Sequence, residues 1–528
     1  MMKKTIKKLL AALLAVAMVC AMAIPAFAYN PGETKEDLNT KHDYGAFQIF
    51  EGVISKDNET LSDVNWGQNI TEPDIFLANL KNDPTIGEKF ETAATAQDVL
   101  AVISKWHNSD DYSIAFARVV CHYLYPDANA NPTPVATDHT GGINIPKSGY
   151  YLIVDTSTFS DDDFYHAYNS FFLLNVPQTP YVVLVNHKVV KPTVEKEVYD
   201  NNDIGSTGGW GSSADHAINE PFQFRLIAKL PASENNGRAY DYYKEYAVCF
   251  TDTLSDGITF DKLDTVEITN GDGSTPQVIN NYTLDPNNPQ SSFKLSIDDV
   301  KTCVPDLNKG ATITVTYTAH LNEKAYVNTV GGGTDNKNSV YLEYSNNPRI
   351  STSLDHTTTS KVCVYTYQLN NTKHQDSENG PVLEGAGFRL YSNEACNAED
   401  EIKLKMNDDG TYSRDFSTEG KGVEMLSNKD GQFNVKGLDA GTYYLKETTP
   451  PTGYSACANK EIVISATHDV NHVDLSGNLS TTIINKKAGG ITLPSTGGIG
   501  TTIFYVVGGG LMVAAIVLLV TKKRMENK

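Results

Sequence analysis

The sequence predicts a mainly β protein built of three tandem sandwiches, the first with a helical insertion. Three observations lead there. First, short runs of β-branched and aromatic residues alternate with polar ones between Gly, Asn and Asp turns. Examples are Ala46-Phe47-Gln48-Ile49-Phe50, Phe222-Gln223-Phe224-Arg225-Leu226, Thr312-Ile313-Thr314-Val315-Thr316-Tyr317 and Phe388-Arg389-Leu390-Tyr391. Second, Tyr (28) outnumbers Phe (19) and Trp is scarce (3), a mix suited to half-exposed β surfaces with phenol tips in water. Third, two linker-like stretches divide the interior: residues 181–192, and Asn346-Asn347-Pro348 with the Ser/Thr-rich run to Ser360. The exception to the β pattern is about 70–125, where Phe90 to Trp106 and Ala115 to Tyr125 read as helix.

Taken in chain order, the two ends are addresses. Residues 1–28 combine a basic start (Lys3, Lys4, Lys7, Lys8), an apolar run from Leu9 to Ala23, and Ala26-Phe27-Ala28 with the small-x-small spacing that signal peptidase accepts. The expected modules follow at 29–190, 191–350 and 351–490. Segment 491–528 holds Leu493-Pro494-Ser495-Thr496-Gly497, an apolar run from Ile499 to Val520, and the cations Lys522, Lys523 and Arg524. At about 1.5 Å per helical residue the apolar run reaches about 33 Å, enough to cross a bilayer. The basic tail stays on the cytoplasmic side, which leaves 29–496 outside. This order of motif, span and tail resembles the cell-wall sorting signal of Gram-positive surface proteins. The resemblance implies that a sortase cysteine attacks the Thr496 carbonyl, releases Gly497 onward and passes the acyl group to an amine.

The net charge of -21 argues against a nucleic-acid partner, which requires a basic footprint. Eight of the 43 basic residues and one of the 64 acids leave with the two ends, so the exterior piece carries 35 against 63, a balance of -28. Such acidity favours solubility and mutual repulsion. Six cysteines remain outside: Cys121, Cys249, Cys303, Cys363, Cys396 and Cys457. Export permits disulfides, and Cys249 with Cys303, or a pair among the last three, is open; free buried thiols are the default.

The chemistry is concentrated in the second and third modules. Tyr443-Tyr444-Leu445-Lys446-Glu447-Thr448-Thr449 alternates along a strand that Pro450 and Pro451 end, and it places Glu447 on the face of Leu445, toward the core. A buried carboxylate stays protonated or meets a cation. Lys373 and Asn485 lie at the module's two edges, whose strands can be neighbours in a sandwich. The segment, with Leu383-Glu384-Gly385-Ala386-Gly387-Phe388, resembles the "E-box" of the collagen-binding B-type (prealbumin-like) domain of Gram-positive pilins and adhesins. The resemblance implies an Ig-like/prealbumin-like sandwich and a spontaneous isopeptide bond between Lys373 and Asn485, catalysed by Glu447.

The second module opens Pro192-Thr193-Val194-Glu195-Lys196, continues through Val248-Cys249-Phe250-Thr251-Asp252 and closes Asn336-Lys337-Asn338-Ser339-Val340. It resembles the fimbrial isopeptide-forming middle domain. That implies a Lys196 to Asn338 bond with Asp252 as catalyst; Asn336 and Asn328 are alternative acceptors. In the first module, Ser62-Asp63-Val64-Asn65-Trp66-Gly67 and Gly149-Tyr150-Tyr151-Leu152-Ile153-Val154-Asp155 are similar to the N-terminal domain of the same family, with Asp155 on an E-box-like strand and no evident Lys partner. Near the junction at Val190, the family's position for a polymerising lysine falls on Lys188, with Lys191 second. His468 and His472 read as surface histidines rather than metal ligands, and neither a phosphate-binding loop nor a nucleophile elbow is present.

These resemblances together imply a major (backbone) pilin, exported and wall-anchored on a Gram-positive surface. No enzymatic activity, cofactor or metal is expected of it. Its expected partners are sortase, identical subunits in a covalent fibre, other pilins, peptidoglycan and, further out, host or bacterial surface receptors. A wall-anchored single-chain adhesin or a minor basal pilin are the alternatives.

Overall fold

In the strand Thr312–Leu321, Ile313, Val315, Tyr317, Ala319 and Leu321 are buried and the residues between them half exposed, the two-residue period of a strand with one face on a core. The computed structural model describes residues 42–526 apart from 55–60, 108–109, 138–141, 160–167, 169, 177–180, 184–190, 202–208, 232–238, 289–291, 305–306, 309, 329–335, 418–419, 478 and 489–498. Its architecture is mainly β, as the alternation predicts.

The first unit is a sheet in the order Leu61–Trp66, Tyr44–Ile54, Gly149–Asp155 and Phe172–Val176, with Ala136–Thr137 added to Tyr44–Ile54. Its helices bury Phe76, Leu80, Val99, Phe116 and Val120 against Phe47, Phe50 and Leu152 of the sheet. The helical insertion differs in detail from the expectation. Helix proper runs over Ala96–Ile103, not from Phe90, because Thr95 and Asp98 form a reciprocal capping box that fixes its start. A further helix, Pro73–Asn82, was not expected, although Pro at its first position, Asp74 in the first turn and Lys81 in the last are ordinary helix signals.

The second unit is a two-sheet sandwich. One sheet runs Gln277–Val278, Ile258–Thr269, Thr312–Leu321, Pro221–Lys229, Thr193–Asp200, Gly209–Gly211. The other runs Ser213–Asp215, Ser360–Tyr365, Lys337–Ser345, Val248–Leu254, Ser292–Ile297, Thr283–Asn288, with Leu354–His356 beside Lys337–Ser345. Phe224, Leu226, Phe250, Phe293, Val315, Tyr317 and Leu342 share the core between them. The third unit repeats the plan. Tyr367–Gln375 lies between Val435–Leu438 and Ser480–Asn485 in one sheet, and Gly441–Thr449 lies between Gly387–Tyr391 and Lys460–His468 in the other.

The expected division at residue 350 falls inside the second sandwich, since Leu354–His356 and Ser360–Tyr365 both extend its sheet. The reason lies in Ser360–Tyr365, which is buried on both faces. Val362 and Val364 pack into the second core, whereas Cys363 and Tyr365 pack into the third. After Thr366 the chain runs straight into Tyr367–Gln375, so the two units share a wall. At the C-terminal end, the helix Ile499–Glu526 presents exposed apolar side chains, long enough from Phe504 onward to cross a membrane.

Candidate functional site

Two buried constellations lie between the sheets of the second and third units. In the second, the alternation of Thr193–Asp200 turns Lys196 inward between the sheets, opposite Asp252 and Asn338, which arrive on the paired strands Val248–Leu254 and Lys337–Ser345. Lys196, Asp252 and Asn338 are 2%, 0% and 1% exposed. The Lys196 ammonium donates to Asp252 Oδ2 and lies 3.0 Å from the Tyr317 hydroxyl. Tyr317 in turn donates to Asp252 Oδ2 at 3.3 Å and accepts from Asn338 Nδ2 at 2.6 Å. The rings of Phe224 and Tyr317 stand 5.2 and 5.3 Å from Nζ. This dry, aromatic setting pushes the Lys196 amine down to about 8, burial outweighing the attraction of Asp252. Burial likewise raises the Asp252 carboxyl, against the pull of Lys196. Tyr317 is held well above its ordinary value by burial and by Asp252, so its hydroxyl keeps its proton.

In the third unit, Lys373 and Asn485 stand on parallel neighbours, Tyr367–Gln375 and Ser480–Asn485, with Gln375 opposite Asn485 and Lys373 opposite Ile483. Glu447 comes from the facing sheet. All three side chains are cut off from solvent. Lys373 Nζ donates to Asn485 Oδ1, Asn485 Nδ2 donates to Glu447 Oε1 at 2.7 Å, and Lys373 Nζ is 3.4 Å from the same Oε1. The Cys457 backbone N–H fixes the other carboxylate oxygen at 2.7 Å. Phe388, stacked on Phe433, lies 5.4 Å from Nζ. Burial lowers the Lys373 amine, with Glu447 opposing.

The structure thus brings together each predicted Lys, acid and Asn. Sequence reasoning missed Tyr317. The signal available was its place among inward residues of Thr312–Leu321, but aromatic residues there are usual core, and only the fold puts this hydroxyl between Asp252 and Asn338. Of the alternative acceptors, Asn336 braces the Tyr326 backbone with both side-chain atoms, at 2.8 and 2.7 Å. Asn328 is buried, and its backbone bridges to Tyr367. In the first unit, Asp155 is buried against His42 Nδ1 at 2.6 Å and the Ser157 hydroxyl. The described cysteines are free thiols. Lys188 and the segment Leu493, Pro494, Ser495, Thr496 and Gly497 lie outside the described residues. The reading of His468 as a surface residue is corrected: its side chain is 4% exposed, packed against the second unit, whereas that of His472 is 67% exposed.

Two family models match the chain. Residues 485–527 match the LPXTG cell wall anchor motif, and residues 368–478 match the SpaA prealbumin-like fold domain. The chain is therefore a cell-wall-anchored surface protein of the Gram-positive type. Its third unit is a prealbumin-like domain of the SpaA kind. Solved structures similar to the chain include the T6 backbone pilin of serotype M6 Streptococcus pyogenes (16% identity, 86% of this chain and 97% of that one, TM-score 0.45). Others are the full-length major pilin SpaD of Corynebacterium diphtheriae (19%, 69% and 88%, 0.42) and the pilus 2b backbone protein of group B streptococcus (26%, 53% and 97%, 0.39). No curated protein matches the chain.

Proposed function

We propose that the chain is the backbone subunit of a covalent surface fibre, a major pilin, whose second and third units cross-link themselves through Lys196 to Asn338 and Lys373 to Asn485. The observation that carries this reading is the recurrence, in consecutive sandwiches, of a solvent-free lysine, acid and asparagine in one pocket, in direct contact in the third unit and joined through the Tyr317 hydroxyl in the second. Such a lysine is costly as an ammonium and reactive as an amine. In each reaction the Nζ–Cγ bond forms, the Cγ–Nδ2 bond breaks and ammonia leaves. The acid takes a proton from the attacking nitrogen and returns one to the departing nitrogen, ending unchanged. Glu447 Oε1 reaches both nitrogens by itself, at 3.4 and 2.7 Å. Asp252, one methylene shorter, contacts Lys196 and reaches Asn338 through the Tyr317 hydroxyl.

Assembly uses the other end of the chain. A sortase thiolate attacks the Thr496 carbonyl, the peptide bond to Gly497 breaks, and the Lys188 amine of the next subunit displaces the thiol to form an intermolecular amide. The last subunit is transferred to peptidoglycan. The anchor match and the helix Ile499–Glu526 support this route. Each internal bond ties the opening part of a unit to its closing part, so that pulling on the fibre loads a covalent link.

An immunoblot of wall extract boiled in detergent tests assembly. A ladder of multimers that vanishes in Lys188→Ala and on deletion of Thr496 is expected. A single wild-type band would reject the fibre in favour of a single-chain adhesin, and a ladder that persists in Lys188→Ala would move the junction to another lysine, Lys191 first.

A further inference from the structure

The joint between the second and third units buries a cluster that neither cross-link uses. Asp200 ends Thr193–Asp200, Asp215 ends Ser213–Asp215, and His468 ends Lys460–His468 of the next unit. One ligand atom from each lies within 4.8 Å of the others. Their side chains are 7%, 0% and 4% exposed. His468 Nε2 is 3.5 Å from Asp200 Oδ2 and 4.0 Å from Asp215 Oδ2. Those separations are long for hydrogen bonds. They are close to the roughly 3.3–3.6 Å between ligand atoms that share a tetrahedral zinc ion at about 2.0–2.2 Å from each.

Two further features point to a cation. Asp215 Oδ2 accepts from the Tyr367 hydroxyl at 2.8 Å, but Oδ1 of the same wholly buried carboxylate has no hydrogen-bond partner among the described residues. The His468 Nδ1 edge meets the Ser213 hydroxyl at 2.9 Å, which orients Nε2 toward the two acids, as an outer-sphere partner orients a ligating imidazole. Asp469 and Glu220 add negative charge nearby. Two carboxylates and one imidazole leave the cluster negative in either state of His468.

We propose that Asp200, Asp215 and His468 bind a divalent transition-metal ion of the zinc class that clamps the second unit to the third. The ion stiffens the joint independently of the cross-links, so this inference does not rest on the pilin reading. The test uses the full chain in detergent, stripped with a chelator, titrated with zinc chloride by calorimetry and melted with and without the metal. One ion per chain and a raised Tm are expected. Asp215→Asn and His468→Gln should each weaken binding at least about tenfold, whereas Asp474→Asn, which removes the exposed acid beside His472, should not. Absence of binding in the wild type, binding kept within about threefold in either joint variant, or binding lost in Asp474→Asn overturns the proposal. If the joint variants fail to fold, X-ray absorption of the zinc-loaded wild type decides: one imidazole with oxygen ligands is expected, and a sulfur or two-imidazole shell overturns it.

Discussion

The second and third units bury the same three residue types with different partners across the sandwich. In the second, the lysine sits on one sheet, and the acid and asparagine sit on the other. In the third, lysine and asparagine share a sheet on parallel neighbours and the acid faces them. A bond in the second unit would therefore join two sheets through the core, and a bond in the third would join the opening and closing strands side by side. In the proposed reaction the difference extends to proton transfer. The longer Glu447 touches both nitrogens, and the shorter Asp252 works with Tyr317. The requirement common to both is a dry pocket with an aromatic wall, because desolvation is what makes an amine available for attack.

The largest effect expected is on stability. Glu447→Ala should abolish the third-unit bond and open a loop of 112 residues. By analogy with a disulfide closing a loop of that size, the loss is about 4.7 kcal/mol. Intact mass should rise by roughly 17 Da beyond the substitution itself, for the ammonia no longer lost, with a large fall in Tm. An unchanged ammonia loss in this variant would remove Glu447 from the chemistry. Asp252→Ala should do the same in the second unit alone, leaving the third-unit bond intact.

The next effect concerns pH. In Asn338→Ala, Lys196 keeps its pocket but has no acceptor. Below about 8 the amine is charged in both folded and unfolded states; between about 8 and 10.5 only the unfolded chain holds the proton. The unfolded state then binds more protons, so stability rises with pH across that window, by about 3 kcal/mol in all. Asp252 has the opposite sign: its raised carboxyl pKa makes stability fall as pH rises through the folded value. Denaturant melts from pH 7 to 11 read the Lys196 contribution, and a flat profile would mean that Lys196 titrates normally.

A smaller effect sharpens the contrast between the units. Tyr317→Phe should slow second-unit bond formation by about 100-fold, the scale of one acid–base participant, without slowing the third. Mass spectrometry of peptides sampled during refolding measures both rates in one chain, and equal rates would confine Tyr317 to packing. The smallest expected effect is that of Asn336→Ser. Asn336 is committed to the Tyr326 backbone, so both ammonia losses should remain; loss of one would make Asn336 the acceptor.

The sequence carried much of this because its signals are local. Two-residue alternation marks the strands, and Leu445 beside Glu447 announces a carboxylate facing the core. Motif, span and basic tail announce the anchor. Glu447 is legible in the alternation of its own strand, whereas Lys373, Asn485, Lys196, Asp252 and Asn338 are singled out by family resemblance. Other features depend on contacts between distant segments. No local pattern places the Tyr317 hydroxyl on Asn338, buries Ser360–Tyr365 between two cores or brings His468 against Asp200. Periodicity along one strand states which side chains face inward. Only the pairing of sheets and the docking of one unit on the next decide what each inward side chain meets, because those neighbours are set by packing between surfaces far apart in the chain.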